Sequence, residues 1–309
     1  MSEPRRFPEW MRFKAPGSDG YRVVRKLVDH HKIHTICQSA LCPNIGECWD
    51  SGTATFLILG DICTRACRYC NVISGRPLAV DCDEPARVAN AVKELNLSHT
   101  VITSVNRDDL PDGGAAIFAA TVKAIREISP QTSVEVLIPD FDGNMEAVNL
   151  VLDVHPDIFN HNIETVPNLF PRIRPKGDFQ RSLDILWEGR KLSKTLITKS
   201  GIIIGMGETK EEIISAMERL REVDCNIITI GQYLRPSSKH IPVQYYYTPE
   251  EFLELRDAGL AMGFTYVESA PHVRSSYHAA RHKVNVKAYE NSPPSPSLSE
   301  RGDRGELFE

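Results

Sequence analysis

No stretch of this sequence stays apolar for the roughly 18 residues that a membrane-spanning helix needs. Positive charge is not in excess either. Lys and Arg number 36 against 41 Asp and Glu, a formal net charge of -5. That balance excludes a nucleic-acid binder working through a broad basic face, so neither nucleic acid nor membrane is an expected partner. Aromatic residues are sparse at 7%, yet hydrophobic residues reach 41% and charged residues 25%, enough for a packed core and too apolar for a mostly disordered chain. No apolar segment follows Arg5, Arg6, Arg12 and Lys14, as a secretion signal would require. Glu3, Glu9 and Asp19 are out of place in a transit peptide. A reducing cytoplasm is the expected compartment, where clustered cysteines read as metal ligands or catalysts before disulfides.

Cysteine is almost missing outside one short region. Six of the eight fall in residues 37–70, and only Cys82 and Cys225 lie elsewhere. Cys225 reads as small core packing before a strand and Cys82 as incidental. From residue 53 onward, β-branched runs alternate with amphipathic stretches. Strands are expected at 55–59, 99–103, 133–138, 157–160, 198–204, 226–230 and 264–267. Helical spacing marks 85–95, 115–128, 145–152, 183–192, 211–223 and 249–262. Thr209 with Glu212, and Thr248 with Glu251, have the spacing of capping boxes. Six strand–helix units imply parallel strands joined by right-handed crossovers. They are too few for an eight-fold barrel and fit a partial α/β barrel, with a six-stranded open sheet as the alternative. Either way, ligands belong at the carboxyl ends of the strands. Residues 291–309, rich in Pro, Ser and charge, read as a disordered tail.

Cys63, Cys67 and Cys70 form C-x3-C-x2-C on a loop after the first strand. Three thiolates leave one coordination position open, whereas a structural zinc site closes four ligands around the ion. An iron–sulfur cube with an open iron can bind a substrate. This motif, with Tyr69 at its aromatic position, resembles the radical S-adenosylmethionine (SAM) enzymes. The resemblance implies a partial (βα)6 barrel, a 4Fe–4S cluster on the three cysteines, and SAM on the open iron. Gly201, Ile203, Gly205 and Glu208 make the Gly-x-Ile-x-Gly-x-x-Glu stretch that approaches adenine in that superfamily.

Upstream, Cys37, Cys42 and Cys48 form C-x4-C-x5-C, and Arg274-Ser275-Ser276-Tyr277 lies near the other end. Together these resemble the lipoyl synthase family. The likeness spans about residues 12–279 and includes Thr103-Ser-Val-Asn106 and Asn160-His-Asn162-Ile-Glu-Thr165. Asn106, Ala270 and His272 depart from its usual residues. The resemblance implies a second, auxiliary 4Fe–4S cluster on Cys37, Cys42 and Cys48, with Ser276 as its fourth ligand and Ser275 as the fallback. Tyr69, Thr103, Asn106, Glu135, Asn162, Gly201, Ile203, Gly205 and Glu208 become candidates for the SAM or substrate pocket.

The implied reaction is insertion of two sulfur atoms at carbons six and eight of a protein-bound octanoyl-lysine, with the auxiliary cluster sacrificed as sulfur donor. No side-chain acid or base is assigned, because an unactivated methylene gives too unstable a carbanion. Implied partners are octanoylated lipoyl carrier domains (the glycine cleavage H protein and 2-oxoacid dehydrogenase acyltransferases), a flavodoxin or ferredoxin reductant, and an iron–sulfur carrier protein. Arg172, Arg174 and Lys176 are candidate docking residues for the acidic carrier domain. The competing reading is a radical SAM enzyme whose auxiliary cluster only transfers electrons or binds substrate. The expected organisation is an extension over 1–52, a barrel over 53–270, a closing segment over 271–290 and the tail.

Overall fold

The computed structural model describes residues 7–281. The expected tail, and the end of the expected closing segment, lie outside the described residues. Seven parallel strands form the sheet: β1 (Thr55–Ile58), β2 (His99–Ser104), β3 (Ser133–Leu137), β4 (Ile158–Asn160), β5 (Ile197–Ile204), β6 (Ile227–Gln232) and β7 (Tyr266–Ser269). A two-residue strand, His34–Thr35, adds an antiparallel edge on β1. Strand order follows chain order throughout. A doubly wound sheet would reverse its order at a switch point, so this winding is that of an incomplete barrel.

Six helices follow the first six strands: α1 (Glu84–Glu94), α2 (Ala115–Ile128), α3 (Met145–Leu152), α4 (Phe179–Leu192), α5 (Lys210–Glu222) and α6 (Pro249–Ala261). The six expected units are thus present, closed by a seventh strand. The strands are buried on both faces, so β2 and β6 read as near-continuous β-branched runs rather than alternations. Helix α2 turns Ala115, Phe118, Ala119, Val122 and Ile125 inward at helical spacing. Each large side chain buried this way contributes about 1.5–3 kcal/mol. Phe56, Ile58, Val88, Val92 and Phe118 belong to one continuous core between the sheet and the helices.

Both capping boxes form, with Thr209 and Thr248 each accepting from the backbone N–H three residues on. Helix α4 begins four residues before its expected start because Asp178 accepts from the Arg181 N–H and opens the helix there. Strand β7 begins at Tyr266 rather than 264. Gly263 (φ 93°) and the Phe264 N–H, bonded to the Gly259 carbonyl, still belong to the turn that ends α6. Before the barrel come a helix (Asp19–His31) and two short helical segments, Ile36–Ser39 with Cys37 and Ile45–Asp50 with Cys48; Cys42 lies in the turn between those two.

Candidate active site

A cavity of about 500 Å³ opens at the carboxyl ends of the strands. Its walls include Thr103 and Ser104 of β2, Leu137 of β3, Asn162 after β4, Gly201 and Ile203 of β5, and Gly231 and Gln232 of β6. Five of the six clustered cysteines line it: Cys37, Cys42, Cys63, Cys67 and Cys70. Cys48 stands behind Cys37 and Cys42, close enough for their charges to act on it. Among the described residues, no three His, Cys, Asp or Glu side chains converge tightly enough to hold a single metal ion. Five of these six thiols border a space instead.

The loop after β1 is held by short, specific contacts. Ile62–Cys63 pairs with Ile73–Ser74, folding the cysteine loop back on itself. Arg65, almost fully buried, reaches Asp108 Oδ1 at 2.8 Å after β2 and Asp140 Oδ1 at 2.7 Å after β3. Its planar fork matches two carboxylates at once, which a Lys could not do. Cys63 Sγ accepts from the backbone N–H groups of Arg65 and Asn106, both at 3.4 Å. Asn106 therefore enters the site through its backbone as well as by lining the cavity.

Burial pushes the Cys67 thiol up to about 11 and Cys70 to about 12, with Cys63 adding to each and Arg174 opposing the rise at Cys67. In the other trio, burial and the neighbouring Cys42 take Cys37 to about 11, while burial and both partners take Cys48 to about 12. Burial also raises Cys42, against the pull of Arg274. Buried thiolates crowded this way are costly alone and suit a polynuclear cation that replaces their protons. The donor sets, three thiols on one side and three thiols with a nearby serine on the other, fit two iron–sulfur clusters.

Beside Cys67 lies a polar group that the motif spacings did not single out. Arg174 is buried, donates to the Asn162 carbonyl at 3.1 Å, and carries charge facing Tyr69, Glu164 and Cys67. It is a wall of the cavity, which corrects its assignment to a docking surface. Arg172 and Lys176 are exposed, and Lys176 lies 3.4 Å from Asp108. Glu164 holds a left-handed φ of 66° and accepts from Asn162 Nδ2 at 3.1 Å. Its carboxyl is raised by burial, against the pull of Arg174. The Asn160–Thr165 stretch contained both the signal and this residue. Tyr69 and Ile203 pack with Ile173, Met206 and Tyr233 along one side.

Three of the expected pocket residues do not line the cavity. Glu135 lies inside the barrel, with Lys199 Nζ at 2.8 Å and Asn160 Nδ2 at 2.7 Å. A carboxylate that deep needs a cation beside it, and Lys199 satisfies it there. Gly205 (φ 105°) turns the chain away from the cavity after β5. Glu208 spends its carboxylate on the N–H groups of Gly205 and Met206. Cys225 donates weakly to the Ile227 carbonyl at 3.4 Å within the core, and Cys82 is exposed.

The segment after β7 closes the cavity from the side of the N-terminal helices. Asn44 Nδ2 donates to the His272 carbonyl at 2.6 Å, and Tyr277 Oη donates to Glu47 at 3.0 Å. A Cβ at Gly231 would stand 1.9 Å from the Val273 carbonyl oxygen, so only glycine lets this segment lie on β6. Ser275 and Ser276 both reach the cavity wall.

The Radical SAM superfamily pattern matches residues 57–220, the region of the barrel with the second cysteine trio. In solved structures the fold is similar to methylornithine synthase (TM-score 0.52, 12% identity, 92% of this chain and 90% of that one). It is likewise similar to the hydrogenase maturase HydG (TM-score 0.52, 13% identity, 93% and 72%). Among curated proteins, the lipoyl synthase of Rubrobacter xylanophilus is 53% identical over 272 residues, 88% of this chain and 85% of that one. That of Chloroflexus aggregans is 54% identical over 281 residues, 91% and 92%. That of Bacteroides fragilis is 50% identical over 278 residues, 90% and 96%. With that identity across nearly the whole of both chains, and a radical SAM barrel carrying two cysteine trios around one cavity, this chain belongs to the lipoyl synthase family.

Proposed function

We propose that the chain inserts two sulfur atoms at carbons six and eight of a protein-bound octanoyl-lysine. Cys63, Cys67 and Cys70 would hold one 4Fe–4S cluster with SAM, and Cys37, Cys42, Cys48 and Ser276 a second. When bound, these groups supply the one-electron chemistry and the sulfur that no side chain here can supply. The protein holds, orients and shields. The observation that carries the reading is one cavity bordered by Cys63, Cys67 and Cys70, by Cys37 and Cys42 of the other trio, and by Ser276.

Arg174 on one side and Arg274 on the other put positive charge beside the thiolates that would ligate the clusters. Asn162 and Glu164 offer a polar edge suited to the amino acid and ribose portions of SAM. Ile203, Val105 and Leu137 offer an apolar wall suited to an acyl chain. The octanoyl-lysine would arrive on lipoyl carrier domains, with Arg172 and Lys176 as exposed cations at hand. A flavodoxin or ferredoxin would supply electrons, and an iron–sulfur carrier would restore the second cluster. The organisation proposed with this reading is an extension to residue 52, a barrel to 270 and a closing segment beyond it. Among the described residues, no helix is long and apolar enough to cross a membrane.

The test is iron and labile sulfide per chain after anaerobic reconstitution. The full chain is expected to hold about eight iron atoms, falling to about four when either trio is replaced by Ala. SAM cleavage to 5′-deoxyadenosine should vanish in the Cys63→Ala, Cys67→Ala, Cys70→Ala variant and persist in the other. Full iron in the chain lacking Cys37, Cys42 and Cys48, or zinc in place of iron, would overturn the assignment.

A further inference from the structure

The two adjacent serines of the closing segment have different hydrogen-bonding partners. Ser275 Oγ accepts from Asn160 Nδ2 at 2.9 Å and donates to Asn162 Oδ1 at 3.0 Å. Both asparagines follow or end β4, and both are fixed. Asn160 Nδ2 also donates to Glu135, which the buried Lys199 neutralises at 2.8 Å. Asn162 Nδ2 donates to Glu164 at 3.1 Å. A side chain at Gly201 would put its Cβ 2.8 Å from Asn162 Oδ1, so that glycine leaves room for the amide. Ser276 differs. Its Oγ accepts from Thr55 Oγ1 at 2.7 Å, which leaves its own proton and a lone pair uncommitted at the cavity wall.

We infer that Ser275 is a positioning residue that latches the closing segment to β4 through Asn160 and Asn162, so that Ser276 is the hydroxyl delivered to the Cys37, Cys42 and Cys48 trio. The proposal deepens the reading of Ser276 as a cluster ligand and rests on it. The anchoring amides lie on the barrel, whereas the trio lies in the segment that precedes it. The latch therefore brings a ligand from the segment after the barrel to cysteines in the segment before it. Because Asn162 serves both Ser275 and Glu164, closing the segment also orders the polar edge of the SAM side.

The test uses the full chain in three variants, Ser275→Ala, Ser275→Thr and Ser276→Ala, each reconstituted anaerobically and checked for an unchanged circular dichroism spectrum. Amide hydrogen exchange is followed over residues 271–279, and iron per chain is measured before and after a chelator. Ser275→Ala is expected to speed exchange about tenfold, the scale of losing two buried hydrogen bonds, and to keep its iron but yield it faster to chelator. Ser275→Thr, which retains the hydroxyl, should restore both. Ser276→Ala should leave exchange within about threefold and lose one iron per chain. Unchanged exchange in Ser275→Ala, or failure of Thr to restore it, overturns the latch. The expected exchange pattern with full, chelator-resistant iron in Ser276→Ala keeps the latch and refutes Ser276 as ligand. Loss of one iron in Ser275→Ala alone would make Ser275 the ligand and overturn both.

Discussion

His161 shows how the cavity sets the behaviour of single side chains. Its Nδ1 donates to the Ile138 carbonyl at 2.9 Å, leaving Nε2 to face the Ser182 hydroxyl at 3.2 Å. Burial, with Arg174 adding to it, depresses His161 to about 4. An unfolded chain protonates this ring near its ordinary value of 6.5, while the folded chain resists until about 4. Stability is therefore complete above about pH 6.5 and drains away as pH falls through that window. Comparing urea unfolding at pH 7 and pH 5, the wild type should lose about 2 kcal/mol more than His161→Gln. Equal losses would contradict a neutral buried ring. Asp140 behaves otherwise. Burial works to raise it, but the Arg65 hydrogen bond and charge win and hold it at about 2. Its contribution survives far into acid and is lost only as pH falls from about 3.8 toward 2. At this scale the sequence was least explicit. Arg174 looked like a surface cation beside Arg172 and Lys176, and nothing in its neighbours marked it as buried. Glu135 has the place of a pocket carboxylate in the sequence, yet only the folded barrel shows Lys199 of β5 reaching it past β4.

At the scale of elements, the sequence is legible wherever a local rule governs. Thr209–Glu212 and Thr248–Glu251 fix two helix starts through contacts made within four residues, and both formed as spaced. Replacing Thr209 by Ala should cost about 1 kcal/mol of unfolding free energy in a denaturant titration while leaving iron content untouched. A parallel loss of iron would show that α5 does more than support the barrel. Boundaries moved where a distant or side-chain contact decided them. Asp178 capped α4 early, and Gly263 held Phe264 back from β7. Gly231 could not be read from sequence at all, because its role is to leave space for a segment some forty residues later. Gly231→Ala places a methyl 1.9 Å from the Val273 carbonyl oxygen, a backbone atom with little freedom to retreat. We expect a cost of about 1–3 kcal/mol and faster hydrogen exchange over residues 271–277, with β6 itself still protected. Unchanged exchange there would mean that the closing segment does not rest on β6.

At the scale of the whole molecule, the segments before and after the barrel meet over its open end. The sequential strand order puts loops from β1 to β6 around one cavity, and the helices before the barrel carry a second set of thiols to its edge. Strand–helix alternation made the barrel legible, and cysteine spacing made both trios legible. The joint between them, Asn44 on the His272 carbonyl and Ser276 beside Thr55, depends on contacts across more than two hundred residues. Spacing alone could not locate it. If the two sites act on one substrate, that substrate records both. The direct measurement is mass spectrometry of an octanoyl-lysyl peptide, incubated anaerobically with the reconstituted chain, SAM and dithionite. Two sulfur atoms are expected to replace two hydrogens on the acyl chain, with 5′-deoxyadenosine formed alongside. Deoxyadenosine without sulfur on the peptide, from protein shown to hold both clusters, would contradict action of both sites on one substrate.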